Sequence, residues 1–234
     1  RQRGPAGPGQ EHLAMTAALR ESAATEALRS LEVRWIFPGP LEAAAARWFG
    51  RYPARSESRE DTYLLNPQLR GLSVKVRGRE ALEVKVYRGS PGILEVAGRA
   101  RGRMESWQKW SFPFRPPGRD RGCDAAGWRS VRKRRRISWF SLVSGQIAAQ
   151  VPGPGQHPGC EVELTEVRTG GQDWWTLGFE ATGPADLLRS VLQATAALVF
   201  ARALPGGVEP GPDESRSYAK WLGQQPGPKS DVGA

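Results

Sequence analysis

The sequence predicts an α+β protein built mainly on antiparallel β-sheet. Three observations lead there. Seven or eight short segments alternate apolar with polar residues, the period of two that a strand imposes on its side chains. Only two strong helical patterns occur, one directly after the first strand and one near the end. Turn chemistry separates the alternating segments, with 28 Gly and 19 Pro among 234 residues.

Taken in order, residues 1–10 are Gly/Pro-rich and expected to be disordered, and 11–29 read as a loose Ala-rich helix. Met15 is a candidate start. The first strong strand is 31–37 (LEVRWIF), with Leu31, Val33, Trp35 and Phe37 on one face and Glu32, Arg34 and Ile36 on the other. Pro40 and Gly50 bracket a helix over 41–49. Residues 55–61 read as a charged loop leading into a short strand at 62–65. A hairpin spans 71–88 around Gly78, Arg79 and Glu80, setting Leu72, Val74, Val76, Leu82, Val84 and Val86 against Ser73, Lys75, Arg77, Glu83, Lys85 and Tyr87. Residues 90–102 read as a loop with a weak strand at 93–96.

Strands follow at 104–112 and 128–142, separated by an irregular stretch over 113–127, and a Gly/Pro-rich loop covers 151–159. A hairpin pairs 160–167 with 174–181 across Thr169, Gly170 and Gly171. The clearest helix is 185–203, with Leu187, Leu188, Val191, Leu192, Leu198 and Val199 on one stripe. The expected organisation is an N-terminal extension over 1–30, a folded domain over 31–204, and an irregular tail over 205–234 with a small anchor at 218–222 (YAKWL). Trp35, Trp110, Trp174 and Trp175 read mainly as packing residues.

Composition narrows the function classes. Lys and Arg number 34 against 24 Asp and Glu, a net charge of +10, which points to anionic partners. Cys123 and Cys160 are the only cysteines and His12 and His157 the only histidines, which argues against a Cys/His zinc site or a disulfide framework. Two free thiols in a reducing compartment are expected. No apolar run reaches membrane-spanning length and no signal peptide is visible, so a soluble cytoplasmic protein without a membrane partner is expected. Neither a GxxxxGK[ST] loop nor a GxGxxG after a strand is present, and triad chemistry lacks its parts. Catalysis would fall to carboxylates, with a hard metal ion or as general base.

The charges recur at every second position, strand after strand. Glu32 and Arg34, Lys75 and Arg77, Glu83 and Lys85, Glu105 and Lys109, and Glu161 and Glu163 occupy the non-aliphatic faces. The strand at 128–140 goes further. Lys133 and Arg135 share one parity with Val131, Ile137 and Trp139, and Arg132, Arg134 and Arg136 hold the other. A strand charged on both faces has no ordinary dry core on either side. The sharper reading is a hydrated, charge-lined channel on one side; the plainer one is a sheet with its charged face in solvent. The strip Arg132–Arg134–Arg136, flanked by Trp128 and Trp139, leaves open a nucleic-acid-binding or basic scaffold role.

The order of these elements resembles the CYTH, or triphosphate tunnel metalloenzyme, superfamily over residues 31–198. The stretches that carry the likeness are LEVRWIF, REDTYLL, GLSVKVRG, LEVKVY, ESWQKWS, CEVELTEV, WWTLGFEA and SYAKWL. Together they are most similar to an uncharacterised CYTH-like group seen in cyanobacteria and other bacteria. The resemblance implies an antiparallel eight-stranded tunnel-like β-barrel with flanking helices and a charged interior. It implies a phosphorylated or polyanionic small molecule as ligand, with Lys75, Arg77, Lys85, Lys133 and Arg135 as anion contacts and Arg34 added to them. Glu32, Glu163 and Glu180 become the candidate catalytic and metal-binding acids, either balancing those cations or holding Mg²⁺ or Mn²⁺. A metal-dependent triphosphate or phosphate-ester hydrolase is the activity this implies.

The superfamily's first strand carries ExExK, two metal-binding Glu and a phosphate-binding Lys. Here those positions read Glu32, Arg34 and Ile36. Arg34 puts a fixed cation where a carboxylate would hold the metal, so it is expected to pair with Glu163 or Glu180 or to bind phosphate itself.

Overall fold

The computed structural model describes residues 27–113, 127–143, 146–151 and 158–225. The expected disorder at 1–10, most of the loose helix at 11–29, and Cys123, His12 and His157 lie outside them. The elements run β1 (Leu28–Pro38), α1 (Ala43–Phe49), β2 (Arg55–Leu64), β3 (Leu72–Arg77), β4 (Ala81–Val96), β5 (Ala100–Pro113), β6 (Trp128–Val143), β7 (Gln146–Gln150), β8 (Gly159–Thr169), β9 (Gln172–Thr182), α2 (Leu188–Val199) and α3 (Tyr218–Gln224).

The strands form one antiparallel sheet in the order β2-β3-β4-β5-β1-β9-β8-β6, and β6 pairs back onto β2 from Leu64↔Trp128 to Arg55↔Ile137. The sheet therefore closes into an eight-stranded barrel, the α+β architecture expected. Strand β7 is an extra member. It takes up the same edge of β6 where β2 ends, from Trp139↔Gln150 to Val143↔Gln146.

Two tight turns fix the registers that bring the inward residues together. Gly78 and Arg79 join β3 to β4 with φ of 56° and 63°. Gly170 and Gly171 join β8 to β9 with φ of 57° and 76°. Two successive positive φ values match the twist of a hairpin and favour Gly at these positions. Because side chains alternate, each register then assigns a whole parity to the barrel interior.

The apolar core lies outside the barrel. Leu31, Val33, Trp35 and Phe37 of β1 join Val162 and Leu164 of β8, and Trp175, Leu177 and Phe179 of β9. Helix α2 covers that face with Leu188, Val191, Leu192, Ala196 and Val199, and α1 adds Trp48 and Phe49. Trp35 packs edge-on against Phe179 and Phe200, with centroids 6.0 and 5.7 Å apart. Each fully buried side chain of this size contributes roughly 1.5–3 kcal/mol. The helices thus hold the aliphatic parity, which leaves the charged parity to the inside. Trp35 and Trp175 are packing residues as expected.

Several expectations need correction. Residues 55–61 are not a charged loop but the first part of strand β2, because β6 pairs with its whole length along one edge, and β3 joins the other edge at Asp61–Tyr63. Residues 90–96 continue β4, which pairs with β5 through register shifts between Tyr87 and Gly92. These bulges bend the distal hairpin over the apolar face, where Leu94, Ala100 and Met104 join the core. Helix α2 is shorter than 185–203, and Leu187 and Leu198 are 37% and 40% exposed at its ends. Strand β7 has no counterpart among the expected elements.

The C-terminal segment enters the barrel wall. Ile36 N–H donates to the Glu214 carbonyl (3.0 Å) and Arg216 N–H to the Arg34 carbonyl (3.0 Å), while Arg101 N–H meets the Pro210 carbonyl (2.8 Å). Residues 210–216 therefore run between the second half of β1 and the first half of β5, where those strands no longer pair. The YAKWL anchor is helix α3. Its Tyr218, Trp221 and Leu222 pack with Ile36, Tyr63, Val131 and Val167 from the inward parity, making a second, smaller apolar cluster at one end of the barrel. Among the described residues, no helix is long and apolar enough to cross a membrane.

A charge-lined tunnel as the candidate functional site

Inside the barrel, β2 supplies Glu57, Arg59 and Asp61, β3 supplies Lys75 and Arg77, and β4 supplies Glu83 and Lys85. Lys133 and Arg135 come from β6, Glu161 and Glu163 from β8, Glu180 from β9, and Glu32 and Arg34 from β1. Most of these side chains line one cavity of about 90 Å³, joined by Tyr63, Glu105, Trp107, Arg216 and Tyr218. That is room for several waters or for the oxygens of a phosphoryl group. The hairpin's charged face lines this tunnel, so the plainer expectation of a solvent-facing charged sheet is overturned: the barrel closes over it.

Asp61 organises one wall. Its Oδ2 accepts from Lys133 Nζ (2.8 Å) and from Lys75 Nζ (3.2 Å), and Arg59 Nε lies 3.1 Å from Oδ1. Glu83 is shared by Lys75 (3.0 Å) and Arg77 (2.9 Å). Arg59 Nη1 also lies 2.8 Å from Glu57, so four cations here meet three carboxylates, one of them shared with Arg135. Burial opposes ionisation of Asp61, yet the charges of Lys133, Lys75 and Arg59 outweigh it and hold the carboxyl far below the usual carboxylate range. For Lys133, burial dominates and pushes the ammonium well below its ordinary value; Asp61 opposes that shift, and Lys75 and Arg59 deepen it. Lys75 is also lowered, by burial. Tyr63 Oη accepts from Lys133 (2.8 Å), and the Tyr218 ring sits 4.0 Å from the same nitrogen.

The opposite wall carries a row of carboxylates. Glu105↔Glu32, Glu32↔Glu180 and Glu180↔Glu161 are successive cross-strand partners on β5, β1, β9 and β8. Like charges directly opposite repel, so cations are threaded between them. Lys85 Nζ lies 2.6 Å from Glu32 and 3.5 Å from Glu180, and Lys109 lies 3.6 Å from Glu180. Arg135 reaches Glu161 (2.8 Å), Glu57 (2.5 Å) and Glu163. Burial works against Glu180, but Lys85 and Lys109 prevail and lower its pKa to about 2. Among the described residues Glu105 forms no ion pair; it accepts from Trp107 Nε1 (3.3 Å), and burial, with Glu32 nearby, raises its pKa against the opposing pull of Trp107, Lys220 and Ser217.

Arg34 lies between the two walls. Its Nη1 donates to Glu163 and to Thr176 Oγ1 (3.1 Å), and Cζ stands 4.6 Å from the Tyr218 ring centroid. Burial opposes its charge, but Glu163 more than compensates and raises the pKa. Of the two partners expected for Arg34, it finds Glu163.

The structure brings Arg34, Lys75, Lys85, Lys133, Arg135, Glu32, Glu163 and Glu180 into the cavity lining. Arg77 sits nearer the rim, its side chain 40% exposed and paired with Glu83. Reading 55–61 as a loop leaves Glu57, Arg59 and Asp61 out of the expected site. Alternation carried back from Tyr63 through Asp61, Arg59 and Glu57 is the signal that finds them. Among the described residues, no group of three or more acidic, His or Cys side chains is disposed to hold a metal ion.

On the outer face, Arg132 and Arg134 have side chains 75% and 76% exposed, paired with Glu60 (3.4 Å) and Glu166 (3.7 Å). They border a surface groove of about 670 Å³ with Arg168 and Trp174. Arg136 instead donates to the Ala46 carbonyl. Trp139 is buried, so it does not offer a face for base stacking.

Fold and site together define a closed antiparallel tunnel with a charged interior. Similar solved structures include a conserved hypothetical protein from Pyrococcus furiosus, with TM-score 0.43 and 15% identity over 81% of this chain and 98% of that one. They also include an RNA triphosphatase of S. pombe in complex with the Spt5 CTD (TM-score 0.39, 10% identity, 86% and 91% covered). A Mimivirus capping enzyme triphosphatase matches at TM-score 0.39 with 12% identity, over 82% and 96%. No family model matches the chain, and no curated protein does.

Proposed function

We propose that the tunnel binds a phosphorylated or polyanionic small molecule. The observation that carries this reading is the wall around Asp61, where Arg59, Lys75, Arg77 and Lys133 meet three carboxylates, Asp61, Glu83 and a Glu57 that Arg135 also draws on. Buried cations in excess of their counter-charges repel one another, and a phosphoryl group supplies the missing negative charge together with several acceptor oxygens. Burial depresses Lys133 and Lys75, and an arriving anion would raise them again. Hydrolysis of the bound ester would further need a group to receive the proton of an attacking water. Glu105, which lines the same cavity without an ion pair, fits that role by position and by its raised pKa.

Thermal unfolding with added inorganic phosphate or triphosphate tests the binding reading. The expected result is a concentration-dependent rise in melting temperature that disappears in Lys133→Ala. No rise with either anion contradicts it. The outer strip of Arg132 and Arg134 favours a nucleic acid less, since Glu60 and Glu166 already stand beside those guanidiniums.

A further inference from the structure

A tunnel whose walls carry this many carboxylates invites a divalent cation, yet the chain's own side chains take up the positions between the acids. Arg34 is held on four sides. Glu163 and Thr176 accept from Nη1, the Tyr218 ring lies beneath the guanidinium, and the strand opposite provides Gly178. A Cβ on Gly178 would stand 2.7 Å from Cζ, Nη1 and Nη2 of Arg34. Gly178 has no positive φ, so backbone conformation does not demand glycine there; the space taken by the guanidinium does. The same principle operates one step along β1. Glu32 and Glu180 face each other as cross-strand partners, and the Lys85 ammonium bridges them, where a divalent ion would otherwise be the bridging charge.

We propose that Arg34 and Lys85 are the resident cations of the tunnel, and that its anion binds without a divalent metal ion. Glu163 is committed to Arg34 and Arg135, Glu180 to Lys85 and Lys109, and Glu32 to Lys85. The acids that the family resemblance assigns to metal are thus each satisfied by an organic cation. A guanidinium keeps its charge at any working pH, so a metal cannot displace it by waiting for a proton to leave. An incoming phosphoryl group would meet the N–H donors of the Asp61 wall rather than a metal's open coordination position.

Metal-independent anion binding rests on the proposed function, whereas the occupation of the acids by Arg34 and Lys85 does not, and the experiment separates the two. Mn²⁺ is titrated calorimetrically into the full chain without any anion. The expected result is no saturable binding in the tunnel; a stoichiometric Mn²⁺ site that is lost in Glu180→Gln overturns the proposal. Arg34→Glu restores a carboxylate at this position and is expected to gain a saturable Mn²⁺ site together with a rise in melting temperature on adding Mn²⁺. A folded Arg34→Glu that gains neither removes Arg34 from the account. If that variant does not fold, the wild-type titration still decides. Triphosphate titrated in EDTA should bind as it does without EDTA, and binding only after Mn²⁺ or Mg²⁺ is supplied overturns metal independence. Absence of triphosphate binding under both conditions instead sinks the anion reading, and the Mn²⁺ titration then still tests the resident cations.

Discussion

The two walls of the tunnel solve the same problem in opposite ways. Around Asp61 the cations outnumber the carboxylates, with Arg59, Lys75 and Lys133 converging on one group. Across the barrel the carboxylates Glu105, Glu32, Glu180 and Glu161 stand in a row, and Lys85, Lys109 and Arg135 are threaded among them. A buried ion is tolerated only when a counter-charge or hydrogen bonds replace its water. The carboxylate wall comes close to that condition on its own, leaving Glu105 as its one acid without an ion pair among the described residues. The Asp61 wall does not meet it, and a wall with surplus positive charge is one that a ligand completes. Anion recognition therefore belongs to the Asp61 side, and neutralisation to the other.

The largest expected effect comes from breaking the hub. Asp61→Asn would leave three buried cations without their shared carboxylate and destabilise the fold by about 3–5 kcal/mol at pH 7, read by urea denaturation. The pH dependence follows from the sign of the shift. Asp61 has a depressed pKa in the folded state, so its stabilisation is complete above the unfolded carboxyl value near about 4 and is lost as the pH falls below it. The gap between wild type and variant should close progressively through that acid range. A gap that stays constant would remove Asp61's charge from the explanation.

The carboxylate wall predicts a smaller change of opposite sign. Glu105 is buried with its pKa raised, so its ionised form is disfavoured in the fold and works against stability above the unfolded carboxyl value. Glu105→Gln keeps an acceptor for Trp107 and should stabilise the protein by about 1 kcal/mol at pH 7, with the gain vanishing toward pH 4. Destabilisation at pH 7 would show that Lys220, Ser217 and Trp107 together outweigh the cost of burying the ionised acid. The smallest effect belongs to the outer face. Arg134→Ala removes an exposed 3.7 Å pair with Glu166 and should change stability by less than about 0.5 kcal/mol, with triphosphate binding unaltered.

How much of this was legible in the sequence depended on whether a strand carried an apolar parity. β1, β3, β8 and β9 each set aliphatic or aromatic residues against charged ones, so their inward residues could be named from the period alone. The β2 sequence RSESREDTYL has no such contrast, because its outward face is Ser56, Ser58 and Glu60. Asp61, the hub of the site, was hidden there. The place of α3 was hidden for another reason. Nothing local to YAKWL announces that Tyr218 will lie against Arg34 and Lys133, since that contact depends on a gap between β1 and β5 far away in the chain. The role of Arg34 was half visible: the missing carboxylate could be read, but the space that Gly178 leaves for it required the β1–β9 register.

The most direct test of the division between the walls is a calorimetric titration of inorganic triphosphate into Lys75→Ala and Lys109→Ala beside the wild type. Lys75 belongs to the Asp61 wall and Lys109 to the carboxylate row. A charge-assisted hydrogen bond lost from the binding wall should weaken affinity by about tenfold or more in Lys75→Ala, while Lys109→Ala stays within about twofold of wild type. Equal losses in both variants, or a loss confined to Lys109→Ala, would contradict the assignment of anion binding to the wall around Asp61.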